Sequence, residues 1–559
     1  MTLNVSMPLL LIATALAQQL SQSDRAATDL AVKQIRAQAI RAHMRFLSDS
    51  LLTGRAPGTP GYDIAARYLA SELESMGLHP AGNKGTFYQQ VPLRKAVVDE
   101  PQSSLELIRD GQTQQLSNAI DYVFSGDALR TESSLEAPVV FVGFGVTAPD
   151  QNYDDYARTD VKGKVVAFLY GAPARFPSAE RAYYSDTVVK TKNAVAHGAI
   201  GILRFQAPED EKRYPWKWIV PQIQAGRMRW LDDHGTPHNT FAEIRGSAYL
   251  SQSGTKKLFT AAPHPLEQAL ATARSGEPQA FALPVSVRIH CVNRHIDLRS
   301  PNIIAELPGS DPALRGQYVV YTAHVDHLGT CPPVNGDDVC HGAVDNASGT
   351  SSLLEIARAY ASLPRAPRRS VLFLFVTGEE QGLLGSDYFA CFPTVPRKAI
   401  VANVNIDGAP GIYYAMKDII PLGAEHSSIG NDVELAARLL GYEISPDPMP
   451  EEVFFIRSDQ FSFVQQGVPA VFISDGVKAS DPKVDGLSVI KTWMTTRYHT
   501  PLDNMDQPLD YDSAAKASGL NFLVGYELAQ QDQPPTWNSG DFFGTRFGQK
   551  HNDSAIAGK

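Results

Sequence analysis

Residues 370–380 read Ser-Val-Leu-Phe-Leu-Phe-Val-Thr-Gly-Glu-Glu. The six residues 371–376 are all apolar, which is typical of a strand that is covered on both faces of a sheet. Two carboxylates, Glu379 and Glu380, follow this strand after a short turn. Open α/β sheets hold their ligands at the carboxyl ends of such strands. The stretch therefore predicts an α/β fold and marks one sheet edge as a candidate site.

Strand and helix patterns alternate through the region that surrounds this stretch. Strand-like runs lie at 318–321, 399–406 and 470–473, and a helix is expected at 351–361. The alternation predicts a three-layer αβα domain whose mixed central sheet is mostly parallel. Amphipathic spacing predicts two earlier helices, at 37–47 and 63–76.

The segment 95–286 has a different texture, with β-rich runs at 138–142 and 165–169 and an Ala-rich helix at 191–197 before a strand at 200–203. It holds none of the candidate ligands described below. We therefore expect it to be a smaller inserted α/β domain between two parts of the main domain, 26–94 and 287–530. The polar tail 531–559 is expected to be extended or partly disordered, although its aromatic residues are able to dock it.

Composition narrows the class of protein. The 559 residues carry a formal net charge of -10 and no basic run, so a nucleic-acid partner is not expected.

An apolar run at 7–13 precedes Ala15-Leu16-Ala17, which predicts a signal peptide at 1–17 and export to the periplasm or the outside; a misassigned start codon is the alternative. No other segment reads as a membrane span, so no stable membrane anchor is expected.

Four cysteines fit an exported protein. Cys331 and Cys340 flank a short turn and are candidates for a disulfide in an oxidising compartment. Cys291 and Cys391 are expected to be buried thiols.

Further polar residues complete a ligand set around the Glu-Glu pair. His324 and Asp407 each follow a predicted strand, Asp345 lies in the Gly-rich turn 342–349, and His499 precedes Thr-Pro. Taken singly, such residues are more often surface ion pairs, helix caps or turns. Taken together, five oxygen and imidazole ligands at strand ends suit two divalent cations, with zinc expected and cobalt or manganese as possible substitutes.

Charge counting supports a two-metal site. Two dications carry four positive charges, Asp345, Glu380 and Asp407 supply three negative charges, and a bridging hydroxide would supply the fourth. Neighbouring side chains on one backbone point apart, so we assign Glu380 as a ligand and Glu379 as the general base. Asp326 lies two residues from His324 and is expected to accept its second ring N–H.

These residues resemble a known family. The blocks at 324–329, 342–349, 378–386, 405–408 and 498–503 are similar, in order, to those of the metallopeptidase family M28. The resemblance implies that Asp345 bridges two zinc ions, that His324 and Asp407 complete one site, and that Glu380 and His499 complete the other, with Glu379 as base and proton shuttle. Gln460 and Val344 depart from the family pattern, which has His and Asp there more often.

The insert resembles a protease-associated domain in its blocks at 142–146, 153–156 and 161–166. Such domains cover or shape the cleft of this family and carry no chemistry.

Together, the residues and the resemblance predict an exported di-zinc exopeptidase. We expect it to be an aminopeptidase that acts on peptides or amino-acid amides. A carboxypeptidase or an amidase on N-acyl amino acids is the alternative, because Arg457 lies in a block near the substrate pocket and suits a carboxylate. A peptide-binding protein with a relic site is a third hypothesis, which the complete ligand set opposes.

Overall fold

A computed structural model describes residues 22–553, with side chains from 25 to 548. The predicted signal peptide, 1–17, lies outside the described residues. A mixed central sheet organises the chain, and its four middle strands are mutually parallel. In spatial order its strands are Arg227–Trp230, Tyr88–Val98, the second part of Phe281–Leu307, Ser370–Val376, Tyr318–His324, Ile400–Asn405, Ala470–Asp475, Asp418–Leu422 and Glu443–Ile444, with His79–Pro80 beside the long strand.

A second sheet shares the long strand Phe281–Leu307 with the central sheet. The first part of that strand, 281–292, pairs with strands of residues 104–141, and the part from 293 onward pairs with the central sheet. In spatial order the second sheet contains Gln112–Gln115, Ser104–Arg109, the long strand, Glu132–Phe141, Val165–Leu169, Gly201–Phe205, Ser247–Leu250 and Tyr122–Phe124. Two short hairpins pair Thr147–Ala148 with Tyr153–Asp154 and Thr330–Val334 with Asp337–Val339.

Helices cover both faces of the central sheet. Other helices, among them Thr187–Ala196 and Leu266–Ser275, pack on the second sheet. The described helices are Gln22–Val32, Ala37–Leu47, Pro60–Ser75, Ser178–Ser185, Thr187–Ala196, Pro208–Arg213, Trp216–Gln224, Gln252–Leu258, Leu266–Ser275, Gly349–Ala361, Leu384–Cys391, Ile429–Leu440, Gln460–Val464, Gly486–Thr496, Tyr511–Gln530 and Phe542–Asp553. None of the described helices has the length and apolar character that a bilayer crossing requires.

Both faces of strand Ser370–Val376 are covered, which explains the apolar run at 371–376. Phe373 and Phe375 join a core with helices Ala37–Leu47, Gly349–Ala361 and Tyr511–Gln530 on one face. Leu372 and Leu374 join a second core with Phe389 and Phe463 on the opposite face. A strand alternates its side chains between the two faces, so both sets must be apolar when both faces are covered. The predicted three-layer α/β fold is confirmed.

The helices predicted from strongly periodic apolar spacing are present in the structure. The helix predicted at 37–47 is Ala37–Leu47, and the one predicted at 63–76 begins earlier, at Pro60, because Thr59 caps it and accepts the N–H of Tyr62. A disulfide joins Cys331 to Cys340, as the turn between them predicted.

The C-terminal tail differs from its expected extended form. Residues 542–553 form a helix, and Phe543 is fully buried beside Phe455 and Phe461. Trp537 donates its indole N–H to the carbonyl of Gly467 at 2.9 Å. Phe543 and Trp537 thus dock a segment whose overall polarity suggested an extended chain.

Candidate metal centre

Parallel strand ends bring the ligand candidates to one edge of the central sheet. His324 is the last residue of strand Tyr318–His324, which lies between the strands that precede Glu380 and Asp407. Asp345 lies in the turn before helix Gly349–Ala361, and His499 follows helix Gly486–Thr496. Side chains as far apart in sequence as His324 and His499 therefore meet at this edge.

Asp345 lies between two groups of ligands. Its Oδ1 is 3.3 Å from Nε2 of His324, which is itself 3.1 Å from Oδ1 of Asp407. Its Oδ2 is 3.3 Å from Nε2 of His499, which is 3.0 Å from Oε2 of Glu380. All five predicted ligands thus form one continuous cluster in which a single carboxylate is shared.

The donor atoms fit divalent cations. The ligand atoms of His324, Asp345 and Asp407 lie within 4.8 Å of one another, as do those of a second triad that also contains Asp345. Nε2 of His499 is buried and makes no well-aligned hydrogen bond, although two carboxylates lie around it. An imidazole nitrogen that faces two carboxylates without an aligned hydrogen bond is suited to bind a cation together with them. Nitrogen and oxygen donors without sulfur suit zinc.

The two adjacent glutamates have opposite electrostatic environments. Burial and the charge of Asp345 act to raise the pKa of Glu380, but His499 and His327 outweigh them and lower it to about 2. Burial raises the pKa of Glu379 well above its ordinary value, and repulsion from Asp407 and Asp459 acts in the same direction. Glu380 is therefore held as an anion, whereas Glu379 is placed to take up a proton.

Glu379 and Asp326 are linked through the backbone. Oε2 of Glu379 lies 4.0 Å from Nε2 of His324, at the edge of the cluster. The carboxylate of Asp326 accepts the backbone N–H of Glu379 at 3.2 Å. The ring of His324 instead contacts the main-chain carbonyl of Asp326, with Nδ1 at 3.2 Å from that oxygen. Asp326 thus contacts both residues, the Glu379 backbone through its carboxylate and the His324 ring through its main-chain carbonyl. The predicted contact between its carboxylate and the imidazole is not formed.

His327 is a member of the site that the sequence analysis did not single out. Its Nδ1 lies 2.5 Å from Oε1 of Glu380, and the side chain is fully buried. It forms, with Asp345 and Glu380, the second group of possible metal ligands. Its position one residue after Asp326 in the His-x-Asp-His run was the available signal.

Two further side chains support the turn that carries Asp345. The buried carboxylate of Asp503 accepts the backbone N–H groups of Val344 and Asp345, each at 3.0 Å. The side chain of Asn346 donates to the carbonyl of Ile406 at 3.0 Å and accepts the N–H of Gly408 at 2.7 Å. The bridging candidate is thereby connected to the loops that carry His499 and Asp407.

Arg55 supports the same turn from the N-terminal part of the chain. Its fully buried guanidinium donates to the carbonyl oxygens of Leu47, Val325, His341 and Gly342 at 2.5 to 3.0 Å. Burial lowers its pKa to about 10, although Asp345 and Asp503 act in the opposite direction. An arginine in a Gly- and Pro-rich segment gave no sequence signal of this role.

Arg457, the candidate carboxylate binder, already has anionic and polar partners. Its Nη1 lies 3.6 Å from Oε2 of Glu452 and 3.2 Å from the hydroxyl of Tyr214. The hydroxyl of Tyr214 donates to the same Glu452 carboxylate at 2.6 Å. The segment predicted to be an insert therefore reaches the block that contains Arg457.

Gln460 is fully buried and donates to the carbonyl of Phe455 at 2.7 Å.

Comparisons with known proteins agree with this arrangement. The sequence profile described as Peptidase family M28 matches residues 302–523. A probable zinc metalloprotease of Pyrenophora tritici-repentis is 38% identical over 358 residues, which cover 57% of this chain and 71% of that protein. Aminopeptidase NAALADL1 of Rattus norvegicus is 25% identical over 318 residues, and the match covers 49% of this chain but 38% of the rat protein.

Solved structures show the same fold. An aminopeptidase from Aneurinibacillus sp. strain AM-1 superimposes with a TM-score of 0.53 at 19% sequence identity. The superposition covers 91% of this chain and 97% of that chain. The likeness in fold therefore extends over nearly all of both chains.

Proposed function

Because the chain belongs to peptidase family M28, we propose that it is an exported exopeptidase with two zinc ions that removes N-terminal residues from peptides. The observation that carries the proposal is the position of Asp345, whose two carboxylate oxygens face the imidazoles of His324 and His499. A carboxylate shared in this way would serve two metal ions at once. His324 and Asp407 would complete one site, and Glu380 and His499 the other.

The metals, when bound, would supply Lewis acidity toward the scissile carbonyl and lower the pKa of a coordinated water. Glu379 would take the proton from the attacking water and later deliver it to the leaving amine. Burial raises the pKa of Glu379 above its ordinary value, which makes its carboxylate a stronger base toward the attacking water. Asp326 would hold the Glu379 backbone through the hydrogen bond from its N–H.

The surroundings of Arg457 favour an aminopeptidase over a carboxypeptidase. A substrate carboxylate would have to compete with Glu452, which lies 3.6 Å from the guanidinium and also pairs with Arg213 at 3.2 Å. Separating a half-buried arginine from its carboxylate is costly. A free α-amine needs only an acidic neighbour, and the site is rich in carboxylates. Free peptides and amino-acid amides are therefore the proposed substrates.

Export to the periplasm or the outside is part of the proposal. It is supported by the signal-like sequence at 1–17 and by the disulfide between Cys331 and Cys340, a bond that persists in oxidising compartments.

A turnover screen combined with metal analysis tests the function. Matched peptides with a free amine, a blocked amine or an amidated carboxyl end are offered to the zinc-loaded protein, with and without chelator. We expect loss of cleavage on N-blocking and on chelation, and retention on amidation. Loss on amidation alone would instead identify a carboxypeptidase, and chelator-resistant turnover would exclude the metal site.

The variant Glu379→Gln separates the base from the ligands. It is expected to retain both zinc ions while turnover falls by about 10²–10⁴-fold, the range for general base catalysis. Glu434→Gln, at an exposed helical position, is the matched control and should be unaffected. An active Glu379→Gln protein would rule out the assigned base.

A further inference from the structure

A cavity between the two sheets is lined by three arginine residues. Its volume is about 130 Å³, and every residue that lines it comes from the segment 125–291. Arg204 comes from strand Gly201–Phe205 of the second sheet, and Arg227 and Arg229 come from strand Arg227–Trp230 at the edge of the central sheet. None of the cavity-lining residues is a member of the candidate metal centre.

Strand geometry explains why the arginines converge. Arg227 and Arg229 are two residues apart and share one face of their strand. Met228 and Trp230 occupy the opposite face, where they are buried against Val91 and Leu93 of the central sheet's neighbouring strand. The side chains of Arg227 and Arg229 therefore lie on the other face of this edge strand. That face is turned toward the strand that carries Arg204.

The three charges lack carboxylate partners. Among residues 25–548, no ion pair joins a carboxylate to Arg204, Arg227 or Arg229, and the acids whose charge reaches Arg227 or Arg229 from farther away are Asp186 and Asp387. Nε of Arg204 is buried without any hydrogen-bond partner, and its guanidinium carbon lies 4.7 Å from the ring centre of Tyr249. Nη1 of Arg229 donates only to the neutral carbonyl of Met228, at 3.0 Å.

The nearest acidic side chains are already engaged. Asp186 caps helix Thr187–Ala196 and accepts the N–H groups of Val188 and Val189. Asp127, which lines the cavity, accepts from Arg130 at 2.9 Å. Asp387, whose charge acts on Arg229 as that of Asp186 does, accepts the indole N–H of Trp230 at 2.7 Å. These acids therefore offset the charge of the three arginines only in part.

The cluster costs free energy as it stands. Burial lowers the pKa of Arg229 to about 9, and repulsion from Arg227 and Arg204 contributes. Burial likewise lowers the pKa of Arg204 to about 10, again with repulsion from Arg227. Like charges gathered in a partly desolvated space are compensated when an anion binds among them.

We propose that this cavity binds a small, doubly charged oxyanion of the sulfate and phosphate class. Guanidinium groups present paired N–H donors that match the oxygens of such anions. The hydroxyl-bearing residues Ser125, Ser133 and Ser247 also line the cavity and add further donors. An apolar cavity of ~150 Å³ holds benzene, so the space admits an anion of five heavy atoms.

Binding is measured by calorimetric titration of the zinc-loaded protein with sodium sulfate, at constant ionic strength maintained with sodium chloride. We expect saturable binding of one sulfate per chain. Arg227→Gln and Arg229→Gln should each weaken it by roughly ten- to hundredfold, the effect of removing a charge-assisted hydrogen bond. Arg158→Gln removes the same charge from an exposed position of the same segment and should bind as the wild type does.

Two results would overturn the proposal. One is the absence of saturable sulfate binding to the wild type. The other is undiminished affinity in both arginine variants, which would place the anion elsewhere, including at the metal centre.

Thermal unfolding without sulfate checks the fold: each variant should be at least as stable as the wild type, because repulsion is relieved. If a glutamine variant does not fold, Arg204→Lys, which keeps the charge but loses the forked donor, replaces it and should weaken binding.

Discussion

Asp503 holds the main chain of Asp345: its Oδ2 accepts the Asp345 N–H at 3.0 Å, inside the protein. The carboxylate also accepts the N–H of Val344 and the side-chain amide of Gln507. An acceptor with four lone-pair sites is needed here, and an amide supplies fewer.

We therefore expect Asp503→Asn to weaken zinc binding by about 10–100-fold, as is usual when the outer partners of metal ligands are changed. Competition with a zinc chelator measures this affinity. Asp506→Asn, at an exposed position in the same loop, is the matched control. Wild-type affinity in the Asp503 variant would show that the Asp345 turn keeps its shape without this support.

Removal of the shared carboxylate should affect both metals, whereas removal of a terminal ligand should affect one. Asp345→Ala is expected to abolish tight binding of both ions, because its two oxygens face separate ligand groups. His499→Ala is expected to retain about one ion per chain. Elemental analysis after dialysis gives the stoichiometry, with the exposed His79→Ala as control. Equal losses in the two metal-site variants would contradict the bridging role.

The disulfide should stabilise the protein by about 2–4 kcal/mol, since it restricts the unfolded chain across a sequence separation of 9 residues. The double substitution of Cys331 and Cys340 by serine is expected to lower the free energy of unfolding by that amount. Dithiothreitol should lower the thermal midpoint of the wild type and leave that of the double variant unchanged. A reductant effect that persists in the variant would point to a different origin.

Asp432 should make stability depend on pH. Burial, with repulsion from Glu527, raises its folded-state pKa to about 7, above the ordinary value of 3.8. The folded state therefore holds more protons between pH 4 and 7, so stability falls as pH rises through this window and levels off above it. The full shift corresponds to an upper limit of about 4 kcal/mol.

Asp432→Asn removes this charge and retains an oxygen near Gln531. Urea unfolding should find the variant more stable than the wild type at pH 8, with the difference shrinking toward pH 4. Glu434→Gln, exposed on the same helix, should show no such trend. A difference that is constant over this pH range would mean that Asp432 does not titrate as proposed.

Much of the architecture was predictable because periodicity reports burial directly. The apolar run 371–376 predicted a strand covered on both faces, and Phe373 and Leu374 do lie in cores on opposite faces. The helix at 37–47 was equally clear, because Ile40, Met44 and Leu47 recur at helical spacing. The tail was expected to be extended unless its aromatic residues docked it, and Phe543 does lie in a core.

Residue types alone identified the chemistry of the candidate site, because the functional group of a side chain decides which atoms can bind metal or carry a proton. His324, Asp345, Glu380, Asp407 and His499 were identifiable on that basis. How these groups are held, and which others join them, became apparent from the folded chain. His327, Asp503 and Arg55 act through hydrogen bonds across long sequence separations, and the arginines at 204, 227 and 229 meet only where two sheets meet. Contacts between distant segments depend on the fold, and local pattern carries no record of them.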